Sequence, residues 1–178
     1  LRCVVVSPEQ PPAPGSTALV QQVRRALDLA LPELVADGQT PHTPFLAELA
    51  AAHAFADDAV LARAVQALCR AEVVVFDLTG FEPGVVFLLG VRSVARRGVT
   101  VCSVGGEHVA GDQLDIPFNL QLLNLAAHST LQMHMGPGLR PPELLARKLV
   151  TGLRDLANRP RYLDLPAYDA VRELGLQS

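Results

Sequence analysis

At 178 residues the chain fits one domain with a tail and is long enough to bury a proper core. Its 49% hydrophobic and 19% charged residues are far from a disordered composition. A net charge of −3, with aromatics at 4% and no Trp, argues against the basic footprint and stacking platforms of nucleic-acid binders. Cys3, Cys69 and Cys102 are far apart and form no CxxC pair, and the five histidines show no ligand spacing, so no metal is expected. The thiols read as reduced and buried, in a cytoplasmic protein. No run reaches the roughly 18 apolar residues of a membrane span. The chain starts on a strand-like segment without an initiator Met or signal peptide, which reads as a piece of a longer protein.

In chain order, Arg2 to Val6 (RCVVV) predicts a buried strand, ended by Ser7-Pro8. The proline-rich stretch 8–15 excludes regular structure. Ser16 caps a predicted helix, Thr17 to Leu31, stopped around Pro32. Residues 36–44 (ADGQTPHTP) are turn-rich, and no strand is visible there. Helical signals resume over Phe45 to Phe55 and again over Asp57 to Arg70. Ala71 to Leu78 (AEVVVFDL) is the strongest strand, almost continuously apolar, as a strand covered on both faces should be. A turn, Thr79 to Gly84, leads into a helix over Val85 to Arg97. Gly98 closes it, and Val99 to Val104 is the next buried strand. Gly105 to Asp115 is a polar loop, a weaker strand is expected near Leu123 to Leu131, and a last helix runs from Pro142 to Asn158.

This alternation predicts an α/β fold: a parallel central sheet with helices on both faces, a Rossmann- or flavodoxin-like three-layer sandwich. The domain covers 1–158, and 159–178 form a linker or docking tail. Ligands of such sheets sit beyond the carboxyl ends of the strands. That rule selects Ser7-Pro8, Thr79 to Gly84, Gly105 to His108 and the segment around Asn119.

The segment AEVVVFDLTGFEPGVVFLLGVRSVARRGVTVCSV, Ala71 to Val104, resembles the signature of nucleoside 2-deoxyribosyltransferases and their TIR-like relatives. There a strand of the type ADVVVADLTG runs into a helix of the type NPNVFYELGVAHA. DIPFNLQLLN (Asp115 to Asn124) is similar to the family's DIPFDLRHYR block, so matching blocks span roughly 60 to 158. The resemblance implies cleavage or exchange of an N-glycosidic bond by a glutamate of the motif helix, through a covalent glycosyl intermediate. Aligned to that motif, the nucleophile's position is Leu88, the usual Asn is Gly84 and the Tyr is Phe87. A leucine cannot attack a sugar.

The resemblance therefore implies a degenerate member. Its expected role is a non-catalytic nucleotide-binding or oligomerisation module of a larger bacterial signalling or defence protein, needing no cofactor. The alternative is an N-glycoside hydrolase or transferase acting on nucleosides or NAD-like nucleotides through a rearranged site. The candidate ligand-binding residues are Ser7, Pro8, Asp77, Thr79, Gly80, Gly84, Leu88 and Asn119. Asp77 reads either as a ribose ligand or as a turn aspartate bonding its own backbone. Glu82, the one carboxylate left in the motif loop, is a weak catalytic candidate that a helix N-terminal charge explains equally well. The motif helix is apolar almost all round. Packing it on the sheet through Phe87, Val91 and Val94 leaves Val85, Leu89, Arg92 and Arg96 for a homodimer or neighbouring-domain interface. The partners expected are thus a nucleotide or nucleoside and a second domain, with no nucleic acid and no membrane.

Overall fold

The computed structural model describes residues 1–8, 19–36, 38, 44–95, 98–104, 109–110, 113–114, 130–132 and 141–158. Strand β1 is Arg2–Ser7, helix α1 is Leu19–Ala36 and strand β2 is Phe45–Ala50. The short α2 (Ala51–Ala54) and α3 (Asp58–Arg70) then lead to β3 (Val73–Asp77). After a 3-10 turn over Thr79–Phe81 come α4 (Pro83–Ala95) and β4 (Val99–Val104). Two-residue strands β5 (Val109–Ala110) and β6 (Gln113–Leu114) pair antiparallel within the stretch read as a polar loop. Strand β7 (Thr130–Gln132) and helix α5 (Pro141–Asn158) complete the order.

The central sheet has five strands in the order β2-β1-β3-β4-β7, and every pairing within it is parallel. Alternate residues of each strand point to opposite faces. Cys3, Val5, Val73, Val75, Val99 and Val101 therefore form one face, buried against Val23, Leu27 and Leu34 of α1 and Leu145, Leu149 and Leu153 of α5. Val4, Val6, Val74, Phe76 and Cys102 form the other, buried against Ala51 and Ala54 of α2, Leu68 of α3 and Val85, Leu88 and Leu89 of α4. The chain is thus an α/β three-layer sandwich with helices on both faces. Among the described residues, no helix is long and apolar enough to cross a membrane.

Besides β5 and β6, three of the described elements differ from the sequence expectation. Pro32 does not end α1 but sits inside it. The buried stripe Val23, Ala26, Leu27, Ala30 and Leu34 runs past the proline, which is on the exposed side of the helix. Burial of that stripe outweighs a proline penalty of about 3 kcal/mol. Phe45 to Ala50 is a strand, not a helix: FLAELA has helix-forming residues, but its pairing with β1 from Arg2↔Phe45 to Ser7↔Ala50 overrides propensity.

The third difference is the face that α4 presents. Val85, Leu88, Leu89 and Arg92 have no exposed surface, an i, i+3, i+4, i+7 stripe turned to the interior. Phe87, expected on the sheet, is half exposed and meets the ring of Phe55 edge-on, centroids 5.4 Å apart. Val85, Leu89 and Arg92 are thus taken up by the chain's own interior and are not available for the expected interface. Arg96 lies outside the described residues.

Arg92 turns inward because α3 ends against it. The last carbonyls of a helix have no partner within it. Nη1 of Arg92 donates to Leu68 O at 2.7 Å and to Ala71 O at 3.0 Å, and Nε reaches Thr100 Oγ1 at 3.4 Å. The negative end of the α3 dipole favours the cation there.

Candidate functional site

The strand order locates the site. From β1 the chain passes first to β2 on one side and then back to β3 on the other, so connections leave β1 and β3 in opposite directions. This is the switch point of a doubly wound sheet, the place where ligands of such folds generally bind, beyond the carboxyl ends of the strands. Ser7 ends β1 and Asp77 ends β3. One step beyond the Val6↔Phe76 pair, they come side by side.

The same rung continues across the sheet, where Asp77 pairs with Ser103 of β4. Ser7 follows the parity of Val5, Asp77 that of Val75 and Ser103 that of Val101. All three thus belong to the sheet face covered by α1 and α5. Glu48 of β2 shares that face, since it is in register with Val5 and follows Leu46, which packs on the same core cluster. Ser7 Oγ donates to Glu48 Oε1 at 3.4 Å, a long contact for a hydroxyl. The carboxyl edge therefore carries a line of oxygen groups: Glu48, Ser7, Asp77, Ser103.

The turn after β3 is fixed locally. Asp77 Oδ1 accepts from Thr79 N at 3.0 Å, an Asx turn, so the turn reading of this aspartate holds. An ionised carboxylate has about four acceptor positions, and this bond uses one of them. Leu78 N donates to Ser103 O at 2.8 Å and Phe81 N to Leu78 O at 2.9 Å. Gly80 at φ 78° and Phe81 at φ 50° make the reversal. Left-handed backbone costs a side-chain-bearing residue such as Phe81 about 1 kcal/mol. Thr79 and Gly80 are exposed at the rim.

Glu82 is the N-cap of α4, its carbonyl accepting from Val86 N at 3.0 Å, with Pro83 as the first helical residue. Its role there is explained by the helix start. Gly84, in the first turn, faces α2: a Cβ there would lie 3.1 Å from the Phe55 ring and 3.4 Å from Ala51 Cβ. Gly84 is thus a packing glycine. Leu88, expected to line the ligand site, is fully buried among core residues of the α2–α4 face and offers no surface to a ligand. Pro8 is half-buried beside Ser7, while Asn119 and Gly105 to His108 lie outside the described residues.

The structure thus brings Ser7, Pro8, Asp77, Thr79 and Gly80 to one edge and separates Leu88 from them. Sequence reasoning missed Glu48 and Ser103. Ser103 follows Val101 in strand alternation and was within reach, whereas Glu48 was hidden by the helical reading of its segment. Among the described residues, no group of three His, Cys, Asp or Glu side chains is placed to hold a metal ion.

No family model matches the chain, and no curated protein matches it. Among solved structures it aligns with RosB carrying the bound intermediate OHC-RP (8-demethyl-8-formylriboflavin-5'-phosphate). Identity is 13%, over 100% of this chain and 88% of that one, with a TM-score of 0.45. A likeness at that level assigns neither family nor activity.

Proposed function

We propose that the chain is a non-catalytic nucleotide- or nucleoside-binding module, holding its ligand at the carboxyl edge between β1 and β3. One observation carries this reading. Acceptor side chains, Ser7 and Asp77, end the two strands at the switch point, while the position of the family's nucleophile is a leucine sealed in the core. Binding groups are retained where ligands of such folds sit, and the attacking group is lost. The oligomerisation role receives no comparable support, because Val85, Leu89 and Arg92 are interior. A place in a larger bacterial signalling or defence protein follows from the resemblance alone.

The test is incubation with 2-deoxynucleosides and with NAD, followed by chromatography for released base or nicotinamide, beside a binding titration of the same compounds. Binding without release is the expected result. Robust turnover that Glu82→Gln abolishes contradicts the reading and establishes the rearranged enzyme instead. A second form of that enzyme reading draws on Glu48, a carboxylate that the fold brings to the site edge. Turnover lost in Glu48→Gln would establish it.

A further inference from the structure

We propose that the aromatic pair Phe55–Phe87, between α2 and α4, is a docking surface for a basic, apolar peptide segment of a partner protein. The pair lies on the sheet face covered by α2 and α4, whereas the row from Ser7 to Asp77 belongs to the face under α1 and α5. The inference therefore does not rest on the nucleoside-binding reading.

Among the described residues, Leu29, Val35, Phe45, Phe55 and Phe87 are large apolar side chains left exposed. Single residues of this kind are ordinary on a protein surface. Phe55 and Phe87 differ, because their rings meet edge-on while remaining 42% and 52% exposed. The pair is seated from below. Phe55 follows α2 and lies against the first turn of α4, where residue 84 has no side chain and a Cβ would come within 3.1 Å of the ring. Phe87 stands one turn further along α4, on the side away from the buried stripe of Val85, Leu88, Leu89 and Arg92. Their mutual contact leaves about half of each ring in water, apolar area whose removal by a partner is favourable.

The charge around the pair identifies the partner. Asp57 and Asp58 follow Phe55 at the start of α3, and Glu82 stands two residues before Gly84, against which the Phe55 ring lies. Among the described residues none of these three carboxylates is ion-paired. No Lys or Arg occurs from Phe45 to Ala62 or from Val73 to Val91. The N-termini of α3 and α4 offset about half a charge each, which leaves the rim at about −2. A second copy of the chain would set this rim against its own like charges. Nucleic acid and anionic lipid surfaces are repelled in the same way. A segment with a large apolar side chain beside Lys or Arg fits both parts of the surface. Its apolar group covers the rings, and its cations meet the carboxylates or the exposed face of Phe87.

The test is selection of a phage-displayed random peptide library on the wild-type chain, after removal of phage that bind Phe87→Ala. Phe87 and Asp58 are exposed, so their variants should fold, and circular dichroism verifies this. The expected result is enrichment of peptides that combine Lys or Arg with a large apolar residue. By fluorescence anisotropy these peptides should bind the wild type and lose about tenfold in affinity in Asp58→Lys. They should lose nothing in Asp28→Lys, a control at an exposed position of α1 on the other side of the sheet. Enrichment of acidic or uncharged peptides, no enrichment, or equal weakening by Asp28→Lys and Asp58→Lys overturns the proposal. Binding to phosphatidylserine vesicles, or self-association in light scattering, overturns it equally if Phe87→Ala abolishes either one.

Discussion

Gly98 and the guanidinium of Arg92 occupy adjoining space, so close that a Cβ at position 98 would overlap Nη2 of Arg92. The same Cβ would lie 2.8 Å from the backbone oxygen of Glu72. Neither neighbour can move aside, because the guanidinium holds the end of α3 and Glu72 O accepts from Val99 N at 2.8 Å. Gly98→Ala should therefore destabilise the fold by about 2 kcal/mol or more. Urea unfolding monitored by circular dichroism checks this, and a loss below about 0.5 kcal/mol would show that the contact relaxes freely.

Arg92→Ala should cost more, about 3 kcal/mol or above. It leaves Leu68 O and Ala71 O without their donor and opens a cavity where a fully buried side chain stood. Arg92→Lys should recover only part of this, since a single ammonium lacks the planar fork of donors. Were Arg92 a solvated or interface residue, both variants would be nearly neutral in the isolated chain.

Burial pushes the Cys3 thiol up to about 12, from an ordinary value of 9.0. A thiol raised in the folded state stays protonated there while its unfolded counterpart ionises. Its stabilising effect is complete below pH 9 and is lost as pH rises from about 9 to 12, by up to about 1.4 kcal/mol per pH unit. Unfolding midpoints measured over that range should fall more steeply for the wild type than for Cys3→Ala. In the native chain at neutral pH, a thiol-reactive dye should leave Cys3 and Cys102 unlabelled, since both are buried, and label them after unfolding.

Leu88→Glu should not install a nucleophile. The new carboxylate would enter an apolar cluster with no access to solvent, at a cost of about 3 kcal/mol or more. Reduced stability and no release of base from a 2-deoxynucleoside are the expected results. A stable variant with glycosidic activity would mean that α4 turns its buried stripe toward the site, against the packing of Val85, Leu89 and Arg92.

The parts legible in the sequence are those where one physical signal dominates. The runs around Val4, Val75 and Val101 are apolar because both sheet faces are covered, so β1, β3 and β4 and their adjacency follow from the pattern. The limits of α3 were equally plain, and the structure makes Asp57 its N-cap, the side chain accepting from Val60 N at 2.8 Å. Where two signals competed, the reading failed. Leu46, Leu49 and the alanines of β2 favour a helix locally, and only the partner strand, 43 residues away from Arg2↔Phe45 to Ser7↔Ala50, makes them extended. The facing of α4 was ambiguous because its first turns are apolar all round. The deciding residue is Arg92, whose Nη1 donates to carbonyls more than 20 residues distant in sequence. Of the site, Ser7 and Asp77 were found by their places at strand ends. Glu48 needed the register of β2, which no local pattern encodes.

The central claim, that the carboxyl edge at the β1–β3 switch point is the binding site, is tested most directly by amide chemical-shift mapping. The 15N-labelled chain would be titrated with the 2-deoxynucleosides and NAD of the binding titration above. Shifts concentrated at Ser7, Glu48, Asp77 to Gly80 and Ser103, and absent in Asp77→Asn at the same concentrations, are the predicted result. Shifts clustered on the outer faces of α3 and α4, or no shifts at all, would contradict it.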